Sequence, residues 1–195
     1  RTTLKDYLSE KPNWKTVLDF DALGAKDKKS WVSQGSLPLF PGDKLTLIGL
    51  SEGGEDAATY REFDLAKSQI VKGGFEVPKA KCEVGWLDRD SLMVATDWGK
   101  GSMTESGYPY IAKVWRRGTP MSASKEVFRG KPTDVGVGIA ILHDGNGRQL
   151  NLLVRYVSFF ESELYLWSPK GVARLQLPTK CRVVGLLKNR LLLAI

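Results

Sequence analysis

The sequence predicts an all-β fold: a partial β-propeller of about three four-stranded antiparallel blades, with parts of two flanking blades. Two observations carry this. Phe63, Trp115 and Trp167 lie 52 and again 52 residues apart, each in a similar strand-like setting. Residues 82–95 align without gaps on residues 181–194 at an offset of 99, sharing Cys, Val, two Leu and Ala. A period of about 40–50 residues is that of propeller blades. A unit of that size buries its apolar face only against its neighbours.

The elements follow in order. Residues 1–14 read as a lead-in, with Thr2 or Thr3 capping a short helix over residues 4–8 that Pro12 ends. The partial propeller covers 15–195, with repeats near 31–73, 82–130 and 133–178 and an incomplete blade over 179–195. Lys15-Thr-Val-Leu-Asp-Phe20, Ser68-Gln-Ile-Val71, Lys125-Glu-Val-Phe128 and Val172-Ala-Arg-Leu-Gln-Leu177 recur at one phase and read as blade-closing strands. Pro41-Gly42-Asp43, Asp88-Arg89-Asp90, Asp144-Gly-Asn-Gly147 and Lys188-Asn189 each precede an apolar run and read as hairpin turns. Asp, Asn and Gly supply the positive φ such turns require. The apolar runs after them are dense rather than alternating, as expected of strands buried between blades. The last run reaches Ile195 inside a strand, which predicts a fragment of a longer protein. Its open edge near residues 191–195 predicts self-association.

Composition narrows the function classes. Hydrophobic residues make up 42% of the 195-residue chain, and 29 Lys and Arg against 22 Asp and Glu leave a net charge of +7. The basic residues are scattered. The densest groups, Lys26, Lys28 and Lys29, then Arg116-Arg117, are not interleaved with aromatics, which argues against a nucleic-acid partner. No apolar run reaches the ~18 residues a bilayer span needs, so no membrane partner is expected. Cys82 and Cys181 occupy equivalent places two repeats apart, too far for a disulfide, and are read as free, partly buried thiols of a reducing, cytoplasmic compartment. The chain opens on Arg1, so periplasmic or exported placement of a parent stays open.

Several motifs offer chemistry and are declined. Gly49-Leu-Ser51-Glu-Gly53 matches the Gly-x-Ser-x-Gly elbow of hydrolases, and the single histidine, His143, follows it. The elbow needs a helix after its serine, whereas residues 61–64 fall on the 52-residue repeat and must be strand. Ser51 is therefore read as a turn residue, and His143 as the polar flank of a hairpin. Neither a metal nor a cofactor is expected, because no His/Cys pair has ligand spacing and Asp144-Gly-Asn-Gly147 lacks the carboxylates of a calcium loop. The six tryptophans are read as packing anchors, and residues 99–107 as the longest loop.

Residues 86–109, continuing through Lys113-Val-Trp-Arg-Arg-Gly-Thr-Pro120, closely resemble the propeller region of prolyl oligopeptidase-like serine peptidases. Tyr60-Arg-Glu-Phe-Asp-Leu65, Phe75-Glu-Val-Pro-Lys-Ala-Lys81 and residues 14–23 are similar too. The likeness is strong to about residue 135 and weaker beyond; Gly118-Thr-Pro120 is its most specific local feature. The resemblance implies a seven-bladed propeller capping an α/β-hydrolase domain, whose Ser, Asp and His lie C-terminal to such a segment. No catalytic residue carries over onto this chain. The parent is expected to hydrolyse internal bonds of short peptides, after proline, by acyl transfer through Ser, His and Asp. The chain's partners would be its own hydrolase domain and short peptides, and its role would be to gate access. The innermost strands would line the channel, which makes Lys81, Cys82, Glu83 and Arg182 the candidate lining residues. The alternative is a non-enzymatic propeller scaffold that binds a protein partner on one rim.

Overall fold

A computed structural model describes residues 1–42 and 44–194. The chain divides into two compact units, one of Arg1–Pro38 with the segment that ends at Pro78, the other of Leu39–Gly42 with the segment from Lys79 onward. Both are built from antiparallel strands, nearly all paired with their neighbours in sequence.

The first unit opens on the expected short helix, α1 (Leu4–Tyr7), where the Thr3 hydroxyl accepts the Asp6 N–H at 3.1 Å. The strand expected over residues 15–20 does not form. The segment runs irregularly into a second helix, α2 (Phe20–Asp27), capped by Asp19, whose carboxylate accepts the Ala22 N–H at 2.9 Å. That local hydrogen bond outweighs the β-propensity of Thr16, Val17 and Leu18. Val17, Leu18, Phe20 and Leu23 still turn inward, packing on Trp31, Ile48, Leu50 and Phe63.

The first sheet comprises β1 (Trp31–Pro38), β2 (Leu45–Glu52), β3 (Ala58–Asp64) and β4 (Gln69–Ile70), with β5 (Glu76–Ala80) also paired to β3. Its fourth strand is thus split, and the sheet runs on past residue 73. Glu62 manages the split. Its side chain is buried, yet the carboxylate accepts the Phe75 N–H at 2.9 Å, and its own backbone N–H and C=O bond to Phe75 and Val71. A Cβ on Gly74 would meet that carboxylate at 2.9 Å, so the bend needs glycine.

The second unit holds β6 (Glu83–Asp88), β7 (Ser91–Ala95), β8 (Ile111–Arg116) and β9 (Lys125–Arg129), then β10 (Gly136–His143), β11 (Gln149–Tyr156), β12 (Ser162–Ser168) and β13 (Gly171–Arg174). A final hairpin, β14 (Arg182–Leu187) and β15 (Arg190–Ala194), follows. The fold class is the expected all-β partial propeller. Phe63, Trp115 and Trp167 fall on β3, β8 and β12, the third strand of each sheet, so the 52-residue beat counts blades. The dense apolar runs are buried on both faces: Leu92, Met93, Val94 and Ala95 on β7 are fully inaccessible. Trp31, Trp86 and Trp115 are buried as packing anchors, but Trp14 is exposed, edge-on to Tyr7.

The turns differ in chemistry. Lys188 and Asn189 adopt φ of 44° and 66°, the paired left-handed residues of a two-residue hairpin loop. Gly145 and Gly147 supply positive φ in the β10–β11 turn, where Asp144 accepts the N–H groups of Asn146 and Arg148. Arg89 and Asp90, against expectation, are not left-handed; the Asp88 carboxylate instead accepts the Asp90 N–H at 2.7 Å and the Ser91 hydroxyl at 2.6 Å. Of the expected Pro41-Gly42-Asp43 turn, Asp43 lies outside the described residues, as does Ile195 at the end of the last run.

Two sheets of this unit share one core, in which Met93, Ala95, Tyr110, Ile111 and Ala112 meet Val137 and Leu153. A second cluster joins Leu152 and Leu164 to Cys181, Val183, Leu191 and Leu193. The stretch expected to be the most loop-like, residues 99–107, is tightly tied. Ser102 and Thr104 are buried, Tyr110 Oη donates to the Gly101 carbonyl at 2.5 Å, and Glu105 N–H reaches the Pro132 carbonyl. It staples one sheet to the approach of the next.

Charge is buried at Asp134. Arg155 donates to both its oxygens at 2.7 and 2.8 Å and to Glu163 at 3.0 Å, while the Lys131 N–H also bonds Asp134 at 2.6 Å. Burial pushes the Asp134 carboxyl up, but those hydrogen bonds and the Arg155 charge outweigh it and hold the carboxyl below its ordinary range. A carboxyl depressed in the folded state contributes stability above its unfolded pKa of about 4 and loses it as pH falls through the folded value. Urea unfolding of the chain should therefore show stability falling below about pH 4. Asp134→Asn should be less stable than the wild type at pH 7 and should flatten that acid limb; an unchanged limb would remove Asp134 as its source.

Candidate functional site at the first strands of the sheets

β6, β10 and β14 are the first strands of three successive sheets, and β10 packs against both others. Their contact needs space that only glycine leaves: a Cβ on Gly85 of β6 would meet Ile141 Cγ1 at 2.5 Å and Ile139 Cγ2 at 3.0 Å on β10. Side chains alternate along a strand, so Glu83 lies on the same face of β6 as Gly85, one step nearer the strand's start. Three of the four candidate lining residues cluster there. Lys81 and Cys82 immediately precede β6, Glu83 opens it, and Arg182 opens β14.

Their environments differ. The Lys81 ammonium sits 4.2 Å from the centroid of the Tyr108 ring. The Cys82 side chain is half-buried and free of a disulfide. Burial, with a smaller push from the Glu83 charge, raises its thiol to about 12. Glu83 is solvent-exposed, yet the protein crowding around it raises its carboxyl above the ordinary range. Solvent screening keeps the electrostatic consequence modest. Arg182 is exposed and borders a groove of about 410 Å³ with Tyr156, Phe159, Phe160 and Val184.

Tyr156 completes this region and was missed from the sequence. Burial, and then the charge of Glu83, raise its phenol above the ordinary range. A Cβ on Gly138 would meet its ring at 2.9 Å, so the tyrosine lies across β10 over a glycine. The available signal was Gly136-Val-Gly138 itself, since a strand glycine often marks a close approach of a side chain or backbone.

The serine motif has another explanation. Ser51 is not a turn residue, as expected, but a fully buried member of β2, and its hydroxyl donates to the Glu55 carbonyl at 2.7 Å. The turn comes later, at Gly53 and Gly54 with φ of 69° and 85°, and leads into β3 rather than a helix. Ser51 belongs to the first unit and His143 to the second. His143 ends β10 and stacks on Phe40 with centroids 4.4 Å apart.

Comparison with known proteins decides the family. The profile of the prolyl oligopeptidase N-terminal β-propeller domain matches residues 2–172. The chain belongs to that family. An uncharacterized peptidase, y4nA, of Sinorhizobium fredii is 41% identical over 172 residues, which cover 88% of this chain and 24% of that protein. An uncharacterized peptidase of Rickettsia prowazekii is 31% identical over 66% of this chain and 19% of its own length. The chain therefore spans about a quarter or less of the length of these curated relatives. Among solved structures, a post-proline cleaving enzyme from Rickettsia typhi superposes with a TM-score of 0.87 at 26% identity, covering 93% of this chain and 28% of that one. Oligopeptidase B from Leishmania major shares the fold, with a TM-score of 0.64 at 15% identity over 86% of this chain and 23% of its own.

The raised Cys82 thiol gives a direct check on this region of the propeller. At pH 8 its thiolate is scarce, so alkylation should be at least about a hundredfold slower than for an unperturbed cysteine. Timed iodoacetamide labelling in a Cys181→Ser background measures this. A rate like that of a free thiol would show that Cys82 is not enclosed.

Proposed function

We propose that this chain is the propeller part of a longer serine-type peptidase, which hydrolyses short peptides after proline, and that its role there is to gate access sterically. The observation that carries the reading is the family match over residues 2–172, together with the resemblance of the chain to a post-proline cleaving enzyme. Ser51 adds support, because a hydroxyl committed to a carbonyl within a buried strand is poorly suited to nucleophilic attack. Catalysis is then the work of a hydrolase domain elsewhere in the polypeptide, and the chain itself is non-catalytic. Its free thiols suit a reducing, cytoplasmic compartment.

The same reading assigns a partner to the exposed loop between β11 and β12. Phe159 and Phe160 are 86% and 84% exposed there, and a contiguous apolar tip of this kind marks an interaction surface. We assign it to the hydrolase domain. A rim that bound only a foreign protein, with no attached hydrolase, would be the scaffold reading.

The test uses the full-length protein with fluorogenic proline-containing peptides and, in parallel, a folded protein substrate. The expected result is cleavage of the peptides, none of the folded protein, and turnover by Ser51→Ala within about twofold of wild type, as for a residue outside the chemistry. Loss of turnover in a folded Ser51→Ala variant, or cleavage of folded protein at a similar rate, overturns the reading.

The isolated 195-residue chain offers a separate expectation. Among the described residues β15 pairs on one edge only, with β14, and Leu192 within it is 40% exposed. We propose that the chain self-associates through that edge. Light scattering across a concentration series should show growth above monomer mass, and Leu192→Lys should suppress it; a monodisperse monomer throughout removes the idea.

A further inference from the structure

Trp115 and Trp167 hold the same place in successive sheets but are not covered alike. The Trp115 indole N–H donates to the Thr119 carbonyl at 2.9 Å, an acceptor supplied by the link from β8 to β9 over residues 117–124. The corresponding link from β12 to β13 is only Pro169-Lys170, too short to reach back over the ring. Among the described residues no acceptor meets the Trp167 N–H. Trp167 instead lines a groove of about 1000 Å³ between the two sheets, shared with Arg116, Lys125 and Lys170. The groove lies at the end of β12 opposite the Phe159–Phe160 loop, which precedes that strand. On the reading above, a hydrolase domain seated on that loop leaves the groove open.

Asp88, Asp90 and Glu126 also line the groove, but all three are engaged. Asp90 pairs with Arg117 at 3.0 Å and Glu126 with Arg129 at 2.6 Å, while Asp88 accepts the Asp90 N–H and the Ser91 hydroxyl. Arg116, Lys125 and Lys170 are exposed, and among the described residues none of them has an acidic partner. The polar groups left open are thus donors, three cations and an indole N–H, and they call for acceptors that carry negative charge. Leu87, Val114, Val127 and Val172 lie among them. That mixture suits a protein segment in which carboxylates alternate with apolar side chains. The phosphates of a nucleic acid would meet the three acidic groups instead, and like charges suppress such a partner. We propose that this groove binds an acidic segment of a partner protein, with carboxylates at Arg116, Lys125 and Lys170 and at the Trp167 N–H.

The experiment follows the fluorescence anisotropy of a labelled, proline-free peptide of alternating Glu and Leu on the full-length protein. The wild type should bind it, and should bind the same peptide with Gln for Glu at least about tenfold more weakly, as several partly exposed charge contacts allow. Arg116→Glu combined with Lys170→Glu should weaken the Glu peptide about tenfold. Lys72→Glu, at an exposed position in the first unit, should leave its affinity within about twofold. Trp167→Phe keeps a ring against the core and removes the donor, and should weaken binding about threefold. Wild-type affinity should also fall as salt is raised, an arm that holds even if a variant fails to fold. No binding of the Glu peptide, equal affinity for the Glu and Gln peptides, or binding that ignores the double charge reversal overturns the site. Tighter binding of a short oligothymidylate, lost in the same double variant, overturns the protein partner in favour of a nucleic acid. Binding is read without turnover, so each of these failures leaves the peptidase reading intact.

Discussion

The second unit depends on how closely β6 and β10 approach at Gly85. A blade of short strands has two apolar faces and no thickness of its own, so its stability comes from stacking on the next blade. A Cβ at Gly85 would drive into Ile141 at 2.5 Å, and removing the clash would separate the strands. With the gap closed, Met93 and Ala95 of one sheet reach Val137 and Leu153 of the next, and the shared core is continuous. The seam is also tied by hydrogen bonds at both ends. Gln149 Nε2 donates to the Leu87 carbonyl at 2.9 Å, and Thr104 Oγ1 to the Val135 carbonyl at 3.2 Å.

That spacing also shapes the candidate site. Lys81, Cys82 and Glu83 stand at the start of β6, where the Lys81 ammonium meets the Tyr108 ring, and Tyr108 and Tyr156 lie against the glycines of β10. One residue type thus acts in two ways. Gly85 brings backbones together to build the core, while Gly136 and Gly138 let side chains lie across a strand. Replacing glycine in either role has a different consequence, the first for the contact between sheets and the second for how the two tyrosines lie.

Much of the fold was legible in the sequence because a repeat is a long-range signal. Phe63, Trp115 and Trp167 mark the third strand of each sheet, and residues 82–95 and 181–194 both became a hairpin. Local decisions were harder to read. Lys15-Thr-Val-Leu-Asp-Phe20 looks like a strand by propensity, but Asp19 caps a helix, and Gly24 lets the chain return over it with the Lys29 carbonyl 2.5 Å from a hypothetical Cβ. The Asp88 turn used a side-chain acceptor in place of a left-handed backbone. Lys81 and Cys82 precede β6, and Glu83 and Arg182 open β6 and β14, the strand starts at which the repeat pattern puts them. Tyr108 and Tyr156 were not legible from that pattern, since the glycines that seat them are on a different strand, and only three-dimensional packing connects the two.

The reactive groups of the chain are held in burial and hydrogen bonds. Cys82 carries a thiol raised to about 12, which leaves little thiolate near neutral pH. The Ser51 hydroxyl is consumed by the Glu55 carbonyl inside β2, and the serine precedes a glycine turn where an elbow would need a helix. Asp134 is locked between Arg155 and a backbone N–H, with its proton affinity lowered, the reverse of what a general acid or base requires near pH 7. The groups that remain open, Glu83 and the two half-exposed tyrosines, offer charge and surface instead of a nucleophile. The potentially reactive side chains are thus committed to packing and hydrogen bonds, and the side chains left accessible carry charge and aromatic surface.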